Sequence, residues 1–215
     1  MTRDSSLRSP SPGDVLYLAR HGETEYNRRK IFQGRSDIPL NPTGRDQAHA
    51  LRDLLKPVPL TRAYVSPLDR ARVTAAIALE DHEIPLTVEP RLIEIDFGLW
   101  DSTPEAEVKE RWADDYLDYR TDMSRFHPAE GESARDAQAR AGEWWDEVQR
   151  ELGDGPEHML VVAHQSINAV LACYVAEVGL EAAWEHFKTR PGEVIKIVPG
   201  PLPHISRLLP NIDSA

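Results

Sequence analysis

The sequence predicts an α/β fold in which a mostly parallel sheet is covered by helices on both faces. In the apolar run 15–19 the side chains of both alternating sets are apolar, which is typical of a strand buried on both faces. A second apolar run, residues 158–163, repeats this arrangement, and the two runs lead into His21 and His164. In open α/β sheets, ligands bind beyond the carboxyl ends of the strands. The ends of these runs are therefore the first candidates for a site.

The other elements follow in order along the chain. Strands are predicted at residues 14–20, 62–65, 86–88, 158–163, 193–198 and 205–209. Helices are predicted from Asn41-Pro42 to before Pro57, from Ser66 onward, and over residues 105–120, 132–152, 165–178 and 180–189. Residues 23–40 are predicted as a polar loop, and loops of this length inside compact domains are often functional.

Two helix starts have recognisable capping residues. Asn41 is the predicted N-cap of the first helix, with Pro42 at the first helical position. Ser66 is the predicted N-cap of the next helix, and Asp69 stands where a capping box places an acid. Arg70 then falls in the first turn, where its guanidinium can add donors to the positive end of the helix. A helix-surface arginine is the competing interpretation.

Length and composition indicate one enzyme-sized domain, predicted over residues 14–210 after a flexible N-terminus, residues 1–13. The net charge of −11 argues against a nucleic-acid partner and against an anionic membrane surface, because both need a basic face. A single cysteine and a polar start without a signal region predict a cytoplasmic protein. The oligomeric state is left open, with a homodimer kept as an option because dimers are the commonest soluble assembly.

Arg20, His21 and Gly22 form the first candidate site. A guanidinium beside an imidazole, followed by a glycine that permits close backbone approach, suits a phosphate dianion. A surface charge pair that ends a strand is the competing interpretation, and this stretch alone does not decide between them. The loop that follows carries four further cations, whose clustering in an acidic protein favours a local function over a solvated basic loop: Arg28, Arg29, Lys30 and Arg35.

Glu94 is the candidate acid. It lies between Ile93 and Ile95, and a carboxyl group in apolar surroundings has a raised pKa and can donate a proton. The alternative is that Glu94 and Asp96 simply face water. The region between Glu94 and the next strand is a candidate lid. Its tryptophans are interpreted as packing residues rather than as a binding motif: Trp112, Trp144 and Trp145.

Other catalytic signatures are absent from the sequence. There is no P-loop, no Gly-x-Ser-x-Gly, no cysteine pair and no His-Glu-x-x-His. The eight histidines show no close metal-ligand spacing. We therefore predict no metal ion and no cofactor.

Four blocks of residues resemble the histidine phosphatase superfamily, the phosphoglycerate mutase-like group. The first block is Arg20-His21-Gly22-Glu23-Thr24 with Asn27, and it continues through Gln33-Gly34, Pro39-Leu40, Gly44 and Gln47-Ala48. The second is Ser66-Pro67-Leu68 with Arg70, Thr74 and Ala75. The third is Leu92, Glu94, Phe97-Gly98 and Trp100, and the last is Val161-Val162-Ala163-His164. An Arg-His-Gly triplet alone is a weak signal, but four blocks in this order are a specific one.

The resemblance implies a three-layer α/β/α sandwich and catalysis through phosphohistidine. It implies that His21 is the nucleophile and that Glu94 protonates the leaving oxygen and then activates water. It further implies that phosphoryl oxygens are bound by Arg20, Arg70 and His164, with help from Asn27. Gln33, Gly34 and Gln165 are additional predicted substrate-binding residues. The predicted partner is a small phosphate ester.

The resemblance has two departures, and both concern the substrate. Asp101-Ser102 stands where the family commonly has Glu-Gly, and Gln165-Ser166 stands where Gly-Gly is common. The first functional hypothesis is a metal-independent phosphomonoesterase. A cofactor-dependent phosphoglycerate mutase shares the blocks, but only 70 residues separate Glu94 from His164, and the mutases' longer insertion and Arg-His-Tyr-Gly stretch are absent. A phosphate-binding module without turnover is the third hypothesis.

Overall fold

The computed structural model describes residues 13–153, 155–200 and 203–209. Almost all of the predicted flexible N-terminus, residues 1–13, lies outside the described residues. Residue 210, the predicted end of the domain, also lies outside them. No helix in the described ranges is long and apolar enough to cross a membrane.

Six strands form one sheet in the described part of the chain, in the order β3-β2-β4-β1-β5-β6. Their bounds are β1 Val15–Arg20, β2 Arg62–Val65, β3 Leu86–Val88, β4 His158–Ala163, β5 Val194–Val198 and β6 His204–Leu208. β1 to β4 are parallel to one another, and β5 and β6 join antiparallel at one side. The predicted mostly parallel sheet is confirmed.

Helices cover both faces of this sheet. They are α1 Glu25–Arg28, α2 Pro42–Leu55, α3 Asp69–Ala78, α4 Glu105–Arg111, α5 Ala113–Thr121, α6 Ala134–Glu151, α7 Gln165–Val175 and α8 Ala183–Phe187, with 3₁₀ turns at Pro90–Leu92, Gly98–Trp100 and Leu180–Ala182. One face of β1 and β4 packs with α6 and α7 in a large core that includes Trp144 and Trp145. The other face packs with α2 and α3. The three-layer α/β/α sandwich and the packing role of these tryptophans are confirmed.

The predicted N-cap role of Ser66 is wrong. Helix α3 begins at Asp69, and its N-cap residue is Leu68, which makes no side-chain capping bond. Asp37, from the loop after α1, caps the helix instead, because its carboxylate accepts the Asp69 N–H at 2.9 Å. The Ser66 hydroxyl is bonded to His164 and so is not the cap of its own helix.

Other boundaries differ from the predictions where local signals were weak. The segment 23–40, predicted as a loop, contains the short helix α1. Thr24 and Asn27 form a capping box at the N-terminus of this helix. The predicted helix 105–120 is two helices, because Trp112 has φ −134° and ψ 55° and interrupts the helical backbone. The predicted helix 165–178 ends at Val175.

Candidate active site

The parallel strands bring both predicted histidines to one edge of the sheet. β1 pairs with β4 so that Arg20 lies opposite Ala163, and the next residue on each strand is a histidine. The rings of His21 and His164 are therefore neighbours, with centroids 5.1 Å apart in an edge-on arrangement. Both side chains are buried.

His21 is held as a neutral imidazole with a defined tautomer. Its Nδ1 lies 2.7 Å from the carbonyl oxygen of Gly22, so Nδ1 carries the proton and Nε2 keeps the lone pair. Burial lowers the pKa of His21 well below its ordinary value, and the charges of Arg70 and Arg20 lower it further. The ring is thus neutral at neutral pH and its Nε2 is unprotonated, as a nucleophilic nitrogen must be.

Gly22 is required by close backbone packing. A Cβ at this position would lie 2.2 Å from the carbonyl oxygen of Gly44 in α2. The Gly22 N–H donates to the hydroxyl of Thr74 in α3 at 3.0 Å. The turn after His21 is therefore clamped against two helices, which fixes the position of the imidazole.

Arg70 is fully buried behind the histidines. Its Nη1 and Nη2 donate to the carbonyl oxygens of Ser36 and Gly34, each at 2.7 Å. Its Nε donates to Nδ1 of His164 at 3.1 Å. Burial lowers the pKa of Arg70 to about 10, so the guanidinium keeps its charge at neutral pH.

The Gln33 amide lies against Arg70 and Thr24. With its nitrogen 2.6 Å from the Thr24 hydroxyl, its oxygen accepts from Nε and Nη1 of Arg70 at 3.0 and 2.8 Å. Gln33 therefore links the start of α1 to the buried guanidinium.

Arg20 combines protein contacts with an unused donor. Its Nη1 donates to the carbonyl oxygen of Thr189 at 2.8 Å and to the side-chain oxygen of Gln165. Its Nε is buried and has no hydrogen-bond partner in the described part of the chain. A buried unpaired donor is costly, and an anionic ligand beside His21 would satisfy it.

His164 is bonded through both ring nitrogens. Nδ1 accepts from Arg70, and Nε2 lies 2.7 Å from the Ser66 hydroxyl. The pKa of His164 is lowered well below its ordinary value, first by burial and then by the charge of Arg70. His164 is therefore neutral, and it contacts both the guanidinium of Arg70 and the ring of His21.

Glu94 is anchored at the N-terminus of α7. Its Oε1 accepts the N–H groups of Ile95 and Ile167 at 2.8 and 2.9 Å, and its Oε2 accepts that of Ser166 at 3.1 Å. Burial raises the pKa of Glu94, and these three backbone bonds oppose the rise. Because Oε2 accepts one bond and Oε1 two, Oε2 is the oxygen better placed to exchange a proton. The interpretation that Glu94 faces water is wrong, since it is 4% exposed.

A cavity of about 290 Å³ joins these groups. Six of the predicted site residues line it: Arg20, His21, Asn27, Gln33, Glu94 and Gln165. Arg70, His164 and Gly34 lie behind the lining and are joined to one another by hydrogen bonds. The amide oxygen of Asn27 accepts the Thr24 N–H at 3.1 Å, which leaves the two amide donors of Asn27 for a ligand.

The cavity has a further wall, and the sequence indicated its region but, apart from Phe97, none of its residues. It includes Phe97, Glu105, Tyr119 and Arg120, from the region proposed as a lid, and also Phe32 and Pro191. Two of the four loop cations face elsewhere, because Arg28 pairs with Glu25 at 2.6 Å and Arg35 with Asp96 at 3.1 Å. Of those four cations, only Lys30 is in the lining. Helix α5 showed no functional motif, so only the folded chain could reveal its contribution.

Asp101, a departure from the family pattern, supports the loop that binds Arg70. Its Oδ1 accepts the Gly34 N–H at 3.0 Å, and its Oδ2 accepts the Ser36 N–H and hydroxyl, both at 2.9 Å. Gly34 and Ser36 are the residues whose carbonyl oxygens bind Arg70. Ser102 has φ +65°, a left-handed conformation that favours glycine, which is the residue common in the family there.

We expect Asp101→Asn to lower kcat/KM for phosphate esters by up to about 10²-fold, the cost of small misplacements of catalytic groups. An asparagine cannot accept from both Gly34 and Ser36, so Arg70 would lose its fixed position. Steady-state kinetics would measure the effect, together with inhibition by inorganic phosphate, which should weaken in parallel. Asp101→Glu keeps both acceptor oxygens and is the control. An Asn variant with normal kinetics would remove Asp101 from this role.

Among the described residues, no group of three or more His, Cys, Asp or Glu side chains is arranged to hold a metal ion. Independence of metal therefore stays a prediction. The fold and the site together define an α/β protein whose cavity at the carboxyl edge of the sheet is lined by Arg20, His21 and Glu94, with the buried Arg70 behind it.

Comparison with known proteins places the chain in a family. The model of the histidine phosphatase superfamily (branch 1) matches residues 16–201. The chain is 30% identical over 177 residues to the adenosylcobalamin/α-ribazole phosphatase of Salmonella typhimurium, covering 82% of this chain and 86% of that protein. It is 30% identical over 171 residues to a 2,3-bisphosphoglycerate-dependent phosphoglycerate mutase of Cytophaga hutchinsonii, covering 78% and 79%.

The crystal structure of the α-ribazole phosphatase from Shigella flexneri is similar, with a TM-score of 0.75 and 27% identity over 90% of this chain and 95% of that one. The chain belongs to the histidine phosphatase superfamily. It is a phosphatase of small phosphate monoesters, and the phosphohistidine mechanism is general in this superfamily.

Proposed function

We propose that this enzyme hydrolyses its esters without a metal ion, with His21 as the nucleophile and Glu94 as the acid and then the base. One observation carries the proposal: a neutral imidazole with Nδ1 fixed by Gly22 lies near the guanidiniums of Arg20 and Arg70, whose charges both lower its pKa. Phosphoryl transfer depends mainly on positioning and on stabilising negative charge. Two guanidiniums supply the stabilising positive charge that a metal ion supplies in other enzymes.

The reaction proceeds in two displacements. Nε2 of His21 attacks phosphorus in line with the ester oxygen, and Oε2 of Glu94 gives its proton to the departing oxygen. The carboxylate of Glu94 then takes a proton from water, which attacks the phosphohistidine and releases phosphate. Arg20 donates to the phosphoryl oxygens through its unpartnered Nε. We assign Asn27 and Gln165 supporting contacts from the cavity lining.

His164 has a role that depends on an exchange of partners. Both of its nitrogens are bonded to protein, so a direct bond to a phosphoryl oxygen requires that one of these partners be exchanged. In either arrangement His164 connects Ser66 and Arg70 and thereby positions the guanidinium. Gly34 acts through its carbonyl bond to Arg70, and Gln33 acts through its amide.

Hydrolysis is favoured over transfer between carbons of phosphoglycerate. The similar proteins include both a phosphatase and a mutase, and two features of this chain separate it from the mutases. The short spacing between Glu94 and His164, and the missing Arg-His-Tyr-Gly stretch, support water as the acceptor. A binding module without turnover is disfavoured because the proposed nucleophile, acid and Arg20 line one cavity and Arg70 lies behind that lining.

A panel of phosphate esters tests this assignment on chelator-treated protein. We expect phosphate release that survives chelation and no accumulation of 2-phosphoglycerate from 3-phosphoglycerate. Rapid interconversion of the phosphoglycerates would instead establish the mutase. Activity that vanishes on chelation and returns only with a divalent ion would overturn the metal-independent mechanism. If no ester reacted, the hypothesis of a phosphate-binding module without turnover would be supported instead.

We also propose a cytoplasmic location, supported by the one cysteine of the sequence, Cys173, which is a buried free thiol. A homodimer stays a prediction that light scattering would test. No nucleic-acid or membrane partner is proposed, given the net charge of −11.

Glu94→Gln should slow phosphorylation of the enzyme far more with alkyl phosphates than with nitrophenyl phosphate. A poor alkoxide leaving group needs the proton of Glu94, whereas nitrophenolate leaves without it, so the difference should reach up to about 10²–10⁴-fold. Burst kinetics would isolate this step from dephosphorylation, which the loss of Glu94 as the base also slows. Equal losses with both substrates would make Glu94 a positioning residue and turn attention to Asp96 or Asp101 as the acid.

The pH profile gives a second readout on the same variant. Because burial raises the pKa of Glu94, its acid form persists to higher pH than in an ordinary carboxyl group. The alkyl phosphorylation rate should fall as pH rises through that pKa, and Glu94→Gln should abolish this basic limb. The lowered pKa of His21 places the acid limb well below the usual histidine range in both proteins.

A further inference from the structure

Two cations of the cavity lining have no role in holding the phosphoryl group. Lys30, just after α1, and Arg120, near the end of α5, both line the cavity that contains His21. Neither side chain forms an ion pair within the described ranges, whereas nearby cations do, such as Arg28 with Glu25 at 2.6 Å and Arg125 with Asp118 at 3.4 Å. In a protein with a net charge of −11, unpaired cations at a cavity favour an anionic ligand.

The backbone at Lys30 argues that its side chain is used. Lys30 has φ +53°, a left-handed conformation at the position just past the C-cap of α1, Arg29. Glycine or asparagine is favoured there, since other side chains are strained. Non-glycine residues in such conformations cluster at functional sites. A lysine at this position places an ammonium group in the cavity lining although its backbone conformation is strained.

The carboxylates in the same lining have other partners. Glu23 accepts from the amide of Asn41 at 2.8 Å. Glu105 accepts from the Tyr116 hydroxyl and faces the ammonium of Lys109 at 3.9 Å. Glu94, the third carboxylate of the lining, accepts three backbone N–H groups. In the described ranges none of these carboxylates forms an ion pair with Lys30 or Arg120. The charge of Arg120 also reaches Lys188, because it lowers the pKa of that lysine after the larger effect of burial.

We propose that Lys30 and Arg120 bind a second anionic group on the leaving-group side of the substrate. The preferred substrate is then a small phosphate monoester that also carries a carboxylate or a second phosphate. This inference rests on the proposed function. When His21, Arg20 and Arg70 hold the phosphoryl group, the rest of the ester extends through a cavity of about 290 Å³ that Lys30 and Arg120 also line. A second anion there would pair with both cations.

Three esters built on a three-carbon chain test the proposal: 3-hydroxypropyl phosphate, 2-carboxyethyl phosphate and propane-1,3-diyl bisphosphate. We expect kcat/KM to be higher for at least one of the two esters with an anionic tail than for the ester with a hydroxyl tail. Comparison of the carboxylate ester with the bisphosphate shows which anion is preferred. The anionic-to-hydroxyl ratio should fall roughly three- to tenfold in Lys30→Gly and in Arg120→Gln, as expected for charge-assisted contacts at a partly exposed site.

Lys30→Gly separates binding from folding. Glycine relieves the left-handed backbone, so the thermal unfolding midpoint should stay or rise while the ratio falls. Lys30→Arg should keep the ratio. Arg29→Gln is the matched control, because it removes a neighbouring charge outside the cavity lining, and it should also keep the ratio.

The outcomes separate this inference from the proposed function. Hydrolysis of all three esters without preference for an anionic tail, or an unchanged ratio in both Lys30→Gly and Arg120→Gln, would overturn the inference and leave the phosphatase intact. Failure of the wild type to hydrolyse any of the three, or any ester of the wider panel, would overturn the proposed function instead.

Discussion

His21→Ala is expected to lose turnover by a factor on the order of 10⁶, the scale seen when a covalent nucleophile is removed from a hydrolase. The variant keeps Arg20, Arg70 and the cavity, but it has no nitrogen to accept the phosphoryl group. Steady-state phosphate release would measure the loss, and circular dichroism and thermal unfolding would confirm that the fold survives.

His49→Ala is the matched control for this prediction. His49 is exposed on α2 and is not in the cavity lining, so its removal should leave turnover unchanged. His21→Ala could instead retain more than about a hundredth of wild-type activity. General acid–base catalysis typically contributes about 10²–10⁴-fold, so it would then suffice to explain the role of His21. The covalent mechanism would then fail.

Arg70→Gln should produce the second large effect, a loss of about 10³–10⁵-fold in kcat, the range that a charge-stabilising arginine contributes to phosphoryl transfer. The residue is fully buried and bonded to the carbonyl oxygens of Gly34 and Ser36 and to His164. Loss of the guanidinium would also leave both carbonyl groups unsatisfied, at about 1–3 kcal/mol each, so unfolding must be measured beside activity.

Arg70→Lys separates charge from shape. Lysine keeps a positive charge but lacks the fork that reaches Ser36 and Gly34 together. We expect activity between that of Arg70→Gln and wild type. A folded Arg70→Gln within tenfold of wild-type kcat would show that the phosphoryl charge is stabilised elsewhere, with Arg20 as the next group to test.

The sheet and the two histidines were predictable because their signals are local. An apolar strand that ends at a histidine can be identified in one short window, and parallel pairing then brings the ends of β1 and β4 together. The same holds for the start of α2, where Asn41 caps its own helix and accepts the Gly44 N–H. These predictions needed no knowledge of distant contacts.

The supporting contacts were not predictable, because each one joins distant segments. Ser66 fits a helix cap in its local sequence, yet its hydroxyl is bonded to His164, 98 residues away. Glu94 could be named as an acid, but nothing near it indicates that its carboxylate accepts N–H groups from the start of α7. Asp101 and the cavity wall from α5 likewise depend on tertiary packing. The family resemblance supplied the roles of the main residues but left these partners unknown.

Rapid-quench labelling tests the central claim most directly. Wild-type enzyme mixed with a phosphate-labelled ester and quenched within one turnover should carry an acid-labile, base-stable label, and peptide mapping should locate it at His21. The label should be absent from His21→Ala. A label at His164, or a wild-type enzyme that releases phosphate with no labelled intermediate under single-turnover conditions, would contradict the assignment of His21 as the nucleophile.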